Sequence, residues 1–437
     1  MLSPSETASL CSWKKKRDGF NGLKCDAQVE DAFLTPKILL TNPGLQYAHQ
    51  LARQLIRQDS LYEFWTGFAL AADNWYTHAL RYLPLRWRKK IANRILTGVD
   101  ARHLRSTPAI EWKALKRINQ GNSPQKVFHE RNRIFQERIP DSSLRASSAL
   151  IGFDTASWLL AERAAKLNKP FFLDQSISHP LANQEIMQAV ARSFPEWGET
   201  IEARLPQVLA CERQEYQLAN KIVAASSFTK QTLVAHGIPA DKIVINPYGV
   251  DLQTFHPPES SSTPERPLRF LFLGLISARK GVPLILEAWR KLALKQTELW
   301  LVGPLTESVR ALIPPLPGLK VIGKIHRQDL PDLLRQCDVL VFPSYCEGFG
   351  LVLLEALASG LPVITTDATA GPDLIRDGVE GRLIPTGDLD ALCEAMQTLA
   401  REPDKLERMK AAARRCAERF SWEAYGDRWQ QILRENV

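Results

Sequence analysis

Long apolar runs are missing from this 437-residue chain. The longest, such as Leu351 to Leu354 and Val339 to Phe342, fall far short of the roughly 20 residues a membrane-spanning helix needs. Paired cysteines are missing too. The seven present (Cys11, Cys25, Cys211, Cys337, Cys346, Cys393, Cys416) are scattered without a Cys-x-x-Cys spacing. That pattern argues against a zinc site or a disulfide framework and for reduced thiols. The first twelve residues hold no apolar core and run into Lys14-Lys15-Lys16-Arg17, so no export signal is visible. No Asp-x-Asp pair of the metal-binding form stands near a strand end. Asp388-Leu389-Asp390 lies at a helix start, where capping explains it. The expectation is a cytoplasmic protein of two or three domains, at roughly 150 residues to a domain.

What is present is a balanced globular composition, 45% hydrophobic and 24% charged. The net charge is +8, and the excess is uneven. Residues 81–120 hold eleven Lys or Arg, including Arg88, Lys89 and Lys90, against only Asp100 and Glu111. With Trp87, Trp112 and several Leu and Ile, this segment has the character of a peripheral contact with an anionic membrane face. A solvated helical face beside a phosphate-binding cleft is the other reading. Nucleic acid is not expected as a partner.

Strand and helix patterns alternate twice. Residues 1–35 read as a flexible arm. An apolar strand at 36–42 then runs through Pro43-Gly44 into a helix over 47–56, and strands follow at 149–153, 170–174, 221–225 and 242–245. A Pro- and Ser-rich break spans 256–267. Beyond it the pattern restarts, with strands at 268–273, 299–302, 319–322, 339–342 and 362–365. Ser421 is placed to cap a final helix over 421–435. The predicted fold class is α/β, two doubly wound parallel domains at 36–255 and 268–420, with 421–437 as a crossover helix. Ligands in such sheets bind beyond the carboxyl ends of the strands, so the cleft between domains is the expected site.

The segment Glu347-Gly-Phe-Gly-Leu-Val-Leu-Leu-Glu355 places two carboxylates eight positions apart in otherwise apolar sequence. Gly348 and Gly350 suit close backbone approach to a ligand, and the amides at Phe349, Gly350 and Leu351 would open a helix that favours anions. Glu347 would accept from sugar hydroxyls and Glu355 from a ribose diol. The plainer alternative is an exposed loop carboxylate and a helix-face charge, although an unpaired buried carboxylate at 355 is expensive.

This segment, continued through Ala356 to Val363, resembles the paired-glutamate signature of family 4 glycosyltransferases, which are retaining enzymes of the GT-B fold. Ala225-Ser-Ser-Phe-Thr229, Asn246-Pro-Tyr-Gly-Val-Asp251, Arg279-Lys-Gly-Val282 and Asp377 to Pro385 agree in order and spacing. The resemblance covers about residues 205–430. It implies two Rossmann-like domains facing a cleft, with the C-terminal helix packing back toward the N-terminal domain. By the same resemblance Glu347 contacts the donor sugar, and Glu355 the nucleotide ribose. Lys280 and Arg279 neutralise the diphosphate together with the amides at Gly350 and Leu351, and Ile325 lies against the base. His179, after the strand at 170–174, is the candidate histidine near the sugar, with a turn or core role as the alternative. Gly44 is an acceptor-side loop glycine or a simple turn residue. Leu275 stands where the family often has a phosphate-binding arginine, and Arg279 is the candidate replacement.

The implied reaction moves a hexosyl group from a UDP- or GDP-sugar to a hydroxyl of a saccharide or lipid-linked acceptor. No cofactor and no metal ion are expected. A non-catalytic nucleotide-sugar-binding scaffold and a sugar-nucleotide epimerase of the same fold are the alternatives.

Overall fold

The computed structural model describes residues 35–45, 47–74, 91, 94–197, 204–258 and 266–437. The expected arm, the basic residues Arg81 to Lys90 and most of the expected linker lie outside the described residues. Strands rich in Ile, Leu, Val and Phe, buried on both faces, set the architecture. In chain order they are β1 (Ile38–Asn42), β2 (Leu61–Thr66), β3 (Leu70–Ala71), β4 (Ile95–Leu96), β5 (Leu104–Ser106), β6 (Ala149–Phe153), β7 (Phe171–Gln175), β8 (Lys221–Ala224) and β9 (Ile243–Ile245). Beyond the Pro- and Ser-rich break follow β10 (Leu268–Leu273), β11 (Thr297–Val302), β12 (Leu319–Ile322), β13 (Val339–Phe342), β14 (Val363–Thr366) and β15 (Gly381–Ile384). The first sheet has the order β5-β2-β1-β6-β7-β8-β9 and the second β12-β11-β10-β13-β14-β15, while β3 and β4 form a small ladder. Every pairing is parallel. Two parallel α/β sheets are therefore as the sequence predicts, and β6, β10, β12 and β13 coincide with the expected spans.

Strands β2, β5 and β15 are absent from the sequence reading. The reason is visible in β2, whose Glu63 interrupts an apolar run yet is buried. Glu63 accepts from Arg105 Nε at 3.1 Å, from Ser143 Oγ at 2.7 Å and from Trp65 Nε1 at 2.8 Å. Its partners come from β5 and from a helix 80 residues away, which no local pattern encodes.

The final helix, Trp422–Asn436, begins where expected: Ser421 Oγ accepts from the Ala424 amide at 3.1 Å. It packs back on the first sheet's opening helix, Ala48–Arg57, and so ties the two ends of residues 36–437 together. Arg428 Nε donates to Asn246 Oδ1 at 2.7 Å, and Arg57 pairs with Asp427. At its centre Tyr425 Oη donates to Asp174 Oδ2 at 3.2 Å, while Tyr47 Oη donates to Asp174 Oδ1 at 2.9 Å.

Burial pushes the Asp174 carboxyl up to about 8, against the help of the two tyrosine hydroxyls. An acid held above its unfolded value favours folding fully below about pH 4. That contribution is lost as pH climbs from the unfolded value through the folded one. Stability is therefore expected to fall between about pH 4 and about pH 8, and Asp174→Asn is expected to flatten that slope. Urea unfolding across the range checks this, and parallel slopes for the two proteins would contradict it.

Candidate functional site

In the second sheet β10 and β13 are neighbours, but the chain leaves β10 for β11 on one side and continues from β13 to β14 on the other. The loops at their carboxyl ends diverge and open a crevice, the place where such sheets bind ligands. One loop is Gly274 to Gly281, leading into helix Val282–Leu292, and the other is Pro343 to Gly350, leading into helix Leu351–Ala358. The loops are joined through their backbones, the Tyr345 amide donating to Arg279 O at 2.9 Å. Gly281 makes this closeness possible. Its φ is +76°, and a Cβ there would lie 2.2 Å from Pro343 O.

Three charges meet in the crevice. Arg279 Nη1 donates to Glu347 Oε1 at 2.9 Å and to Cys346 O at 2.7 Å. Lys280 Nζ pairs with the same Glu347 oxygen, and its side chain is only 13% exposed. Burial pulls the Lys280 ammonium below its usual range, Glu347 opposes that shift, and Arg279 adds to it. The ammonium also lies 5.0 Å from the centre of the Phe342 ring. Two cations thus share one carboxylate. Beside them Ser277 Oγ and Ser344 Oγ are buried without hydrogen-bond partners. Such hydroxyls are uncommon in folded proteins, and these two stand on the two loops that meet at the crevice.

Glu355 lies in helix Leu351–Ala358 and is 8% exposed. Burial raises its carboxyl, opposed by Arg327, whose Nη2 stands 3.3 Å from Oε1. Arg327 is itself 71% exposed and meets this carboxylate from the solvent side. Ile325, two residues earlier, is half-buried against the core. Gly350 begins the helix and Leu351 is half-buried at its first turn. Leu275 is 48% exposed and contributes no charge, leaving Arg279 as the arginine that joins Lys280.

At three of the expected positions the geometry adds partners that the sequence did not suggest. The close approach at Gly348 is made to the first sheet, because a Cβ there would stand 1.9 Å from Ser176 O, in the loop after β7. Gly348 O accepts from Ser226 Oγ at 2.6 Å and from Thr229 Oγ1 at 3.1 Å. Nearby, Asp373 Oδ2 accepts from the Ser227 amide at 2.8 Å. This glycine therefore closes the cleft wall, and Gly348→Ala is expected to lower stability by about 1–3 kcal/mol, read by urea denaturation. Phe349 is buried, with its ring 5.1 Å from Tyr248, so the side chain packs between the sheets.

His179 is also placed differently. Its ring stacks on His236 at 4.3 Å, and its Nδ1 accepts from the Leu181 amide at 3.3 Å. Burial, with His236 adding, lowers its pKa to about 4, so the imidazole is neutral. It lines a pocket of about 530 Å³ whose walls come only from residues 179–242 of the first sheet's region, apart from the Glu347 cluster. The reason is the turn at Ser178-His179-Pro180, where His179 becomes a helix cap and Ser178 takes the cleft-side position, 3.0 Å from Cys346 Sγ. Gly44 remains in the loop after β1, its amide donating to Asn42 Oδ1 at 2.8 Å.

Sequence reasoning missed Arg327, Ser277, Ser344 and the Asp373–Ser227 contact. Nothing in the spacing links Arg327 to a glutamate 28 residues away. Asp388, by contrast, caps its helix as expected, accepting from the Ala391 amide at 2.9 Å.

Residues 267–402 match the family model described as Glycosyl transferases group 1. The chain is 29% identical over 215 residues to sulfoquinovosyl transferase SQD2 of Arabidopsis thaliana, an alignment covering 46% of this chain and 42% of that protein. It spans about half the length of the curated relatives it matches. Among solved structures it is similar to sucrose-phosphate synthase from Thermosynechococcus elongatus, with a TM-score of 0.63 and 17% identity, covering 92% of this chain and 98% of that one. It is also similar to Anabaena Alr3699/HepE in complex with UDP and glucose, with a TM-score of 0.60 and 16% identity, covering 92% and 100%. At these identities the likeness shows the fold, the two-sheet GT-B arrangement.

Proposed function

We propose that this chain, whose residues 267–402 are a group 1 glycosyltransferase domain, moves a hexosyl group from a nucleoside diphosphate sugar to an acceptor hydroxyl with retention of anomeric configuration. The observation that carries the reading is the cluster of Arg279, Lys280 and Glu347 at the crevice between β10 and β13. Two cations held by one carboxylate are prepared for a second anion, and a diphosphate supplies it. The fold relative that binds UDP and glucose supports a UDP-sugar as donor.

In this reading Lys280 and Arg279 take the diphosphate, aided by the amides at Gly350 and Leu351. Negative charge on the leaving phosphate grows as the glycosidic bond lengthens, and these groups stabilise it most in the transition state. The reaction needs no metal ion in this scheme, because the protein's own cations meet that charge. Glu347, released from its two partners, accepts from sugar hydroxyls and orients the ring. Glu355 accepts from the ribose diol, with Arg327 beside it. The acceptor enters from the first sheet's loops, including the one that carries Gly44, and its proton leaves with the departing diphosphate on the same face of the sugar. A saccharide or lipid-linked acceptor on the cytoplasmic side fits this arrangement.

Slow hydrolysis of UDP-, GDP- and ADP-sugars by the purified chain tests the reading. One sugar nucleotide is expected to be turned over well above the others, with release of its nucleoside diphosphate. Nucleotide binding with hydrolysis of none would instead support a scaffold.

A further inference from the structure

We propose that the helical pair Pro108–Asn119 and Pro124–Arg138 is a docking surface for an anionic membrane. The inference deepens the transferase reading, on which it rests for its purpose, by naming where a lipid-borne acceptor would be met. Four large apolar side chains on these two helices face solvent: Trp112 at 66% exposure, Leu115 at 44%, and Phe128 and Ile134 at 38% each. A soluble surface scatters such residues singly, whereas here they gather on one helical hairpin.

Between these helices and the edge strand β5 lies a pocket of about 830 Å³. Its apolar lining includes Ile110, Val127 and Ile134, and five basic residues surround them. Three of the five are committed to carboxylates: Arg105 to Glu63, Arg117 to Glu130, and Arg131 to Glu111. Lys113 and Arg138 have no ion-pair partner among the described residues. Lys116 adds a third cation on this surface, 5.8 Å from the Trp112 ring centre.

Apolar knobs and uncommitted cations carried on one helical hairpin are what a lipid interface requires. Trp and Leu enter the boundary between headgroups and chains while Lys and Arg meet the phosphates. The alternatives fit less well. A second copy joined through the same face would press one basic patch, with Lys113, Lys116 and Arg138, against another of the same sign. A polyanion such as nucleic acid would leave the four apolar side chains without a partner. The basic segment predicted from sequence is thus only partly concerned. Its residues 81–90 lie outside the described residues, and the surface extends instead along the second helix to Arg138.

The test is co-sedimentation of the full chain with vesicles of phosphatidylcholine alone or mixed with phosphatidylglycerol. The wild type is expected to partition onto the mixed vesicles and scarcely onto the neutral ones. Each uncommitted cation contributes about fivefold, so Lys113→Gln with Arg138→Gln is expected to weaken partitioning about 25-fold. Trp112→Ser is expected to weaken the part of binding that survives high salt. Sugar-nucleotide hydrolysis in the same samples should stay at the wild-type level, which shows that the variants are folded. Equal binding to both vesicle types overturns the proposal, as does undiminished binding by the double variant. A change in sedimentation coefficient without vesicles, lost in the Trp112 variant, overturns it in favour of self-association. Vesicle binding in a chain that hydrolyses no donor would sink the transferase reading and leave the docking surface standing.

Discussion

Replacing Lys280 with methionine is expected to slow donor turnover by on the order of a hundredfold or more, the effect of removing one preorganised donor to a developing anion, about 2.7–4 kcal/mol. The side chain is well suited to the test. It is buried with its ammonium over the Phe342 ring, so methionine keeps most of the stem's packing and removes the charge. The loss should fall mainly on kcat, because the ammonium matters most where charge on the leaving phosphate is greatest. Arg279 stays in place to bind the ground-state diphosphate, which should limit the rise in KM. Single-turnover hydrolysis of the preferred sugar nucleotide is the appropriate measurement, with a thermal melt to show that the fold persists. Full activity in the variant would mean that the diphosphate lies elsewhere.

Replacing Glu347 with glutamine is expected to act in opposite directions on binding and on turnover. In the protein without donor, Glu347 is the counter-ion of both Arg279 and Lys280, and an incoming diphosphate must displace it. Unit charges about 4 Å apart interact by about 4 kcal/mol in surroundings of intermediate polarity, and part of that is recovered by any diphosphate that replaces the carboxylate. Without the charge Lys280 loses its paired carboxylate, and a nucleoside diphosphate alone should bind about tenfold tighter. Turnover should nonetheless fall by on the order of a hundredfold, because the sugar loses the acceptor that orients it. Titration calorimetry with the nucleoside diphosphate separates this variant from Lys280→Met, which should bind more weakly. Weaker binding in both would remove Glu347 from its role as the group the diphosphate displaces.

Much of this was legible in the sequence because parallel strands buried on both faces are written as continuous apolar runs. Val339 to Phe342 and Leu268 to Leu273 are such runs, and the structure places both as strands over those spans. The glycines that end the following loops marked the crevice for the same reason: a chain that turns sharply into a helix needs them. Ser421 and Asp388 show that capping chemistry is equally local.

What was hidden depends on long-range partners. Glu63 reads as a break in a strand until Arg105 and Ser143 are brought to it. Gly348 reads as a ligand contact until Ser176 of the other sheet appears 1.9 Å from its missing Cβ. His179 reads as a cleft residue because it follows a strand, but the proline after it starts a helix and turns the ring onto His236. Leu275 reads as a missing cation, yet Arg279 and Lys280 already supply two to the same carboxylate.

The central claim is that a nucleoside diphosphate sugar lies across the crevice between β10 and β13. A crystal structure of the chain with the nucleoside diphosphate of its preferred donor tests that most directly. The account predicts phosphate oxygens within hydrogen-bond distance of Lys280 and Arg279, the ribose on Glu355, and Glu347 withdrawn from both cations. Electron density for the nucleotide in another pocket, or in this crevice with Glu347 still bridging Lys280 and Arg279, would contradict it.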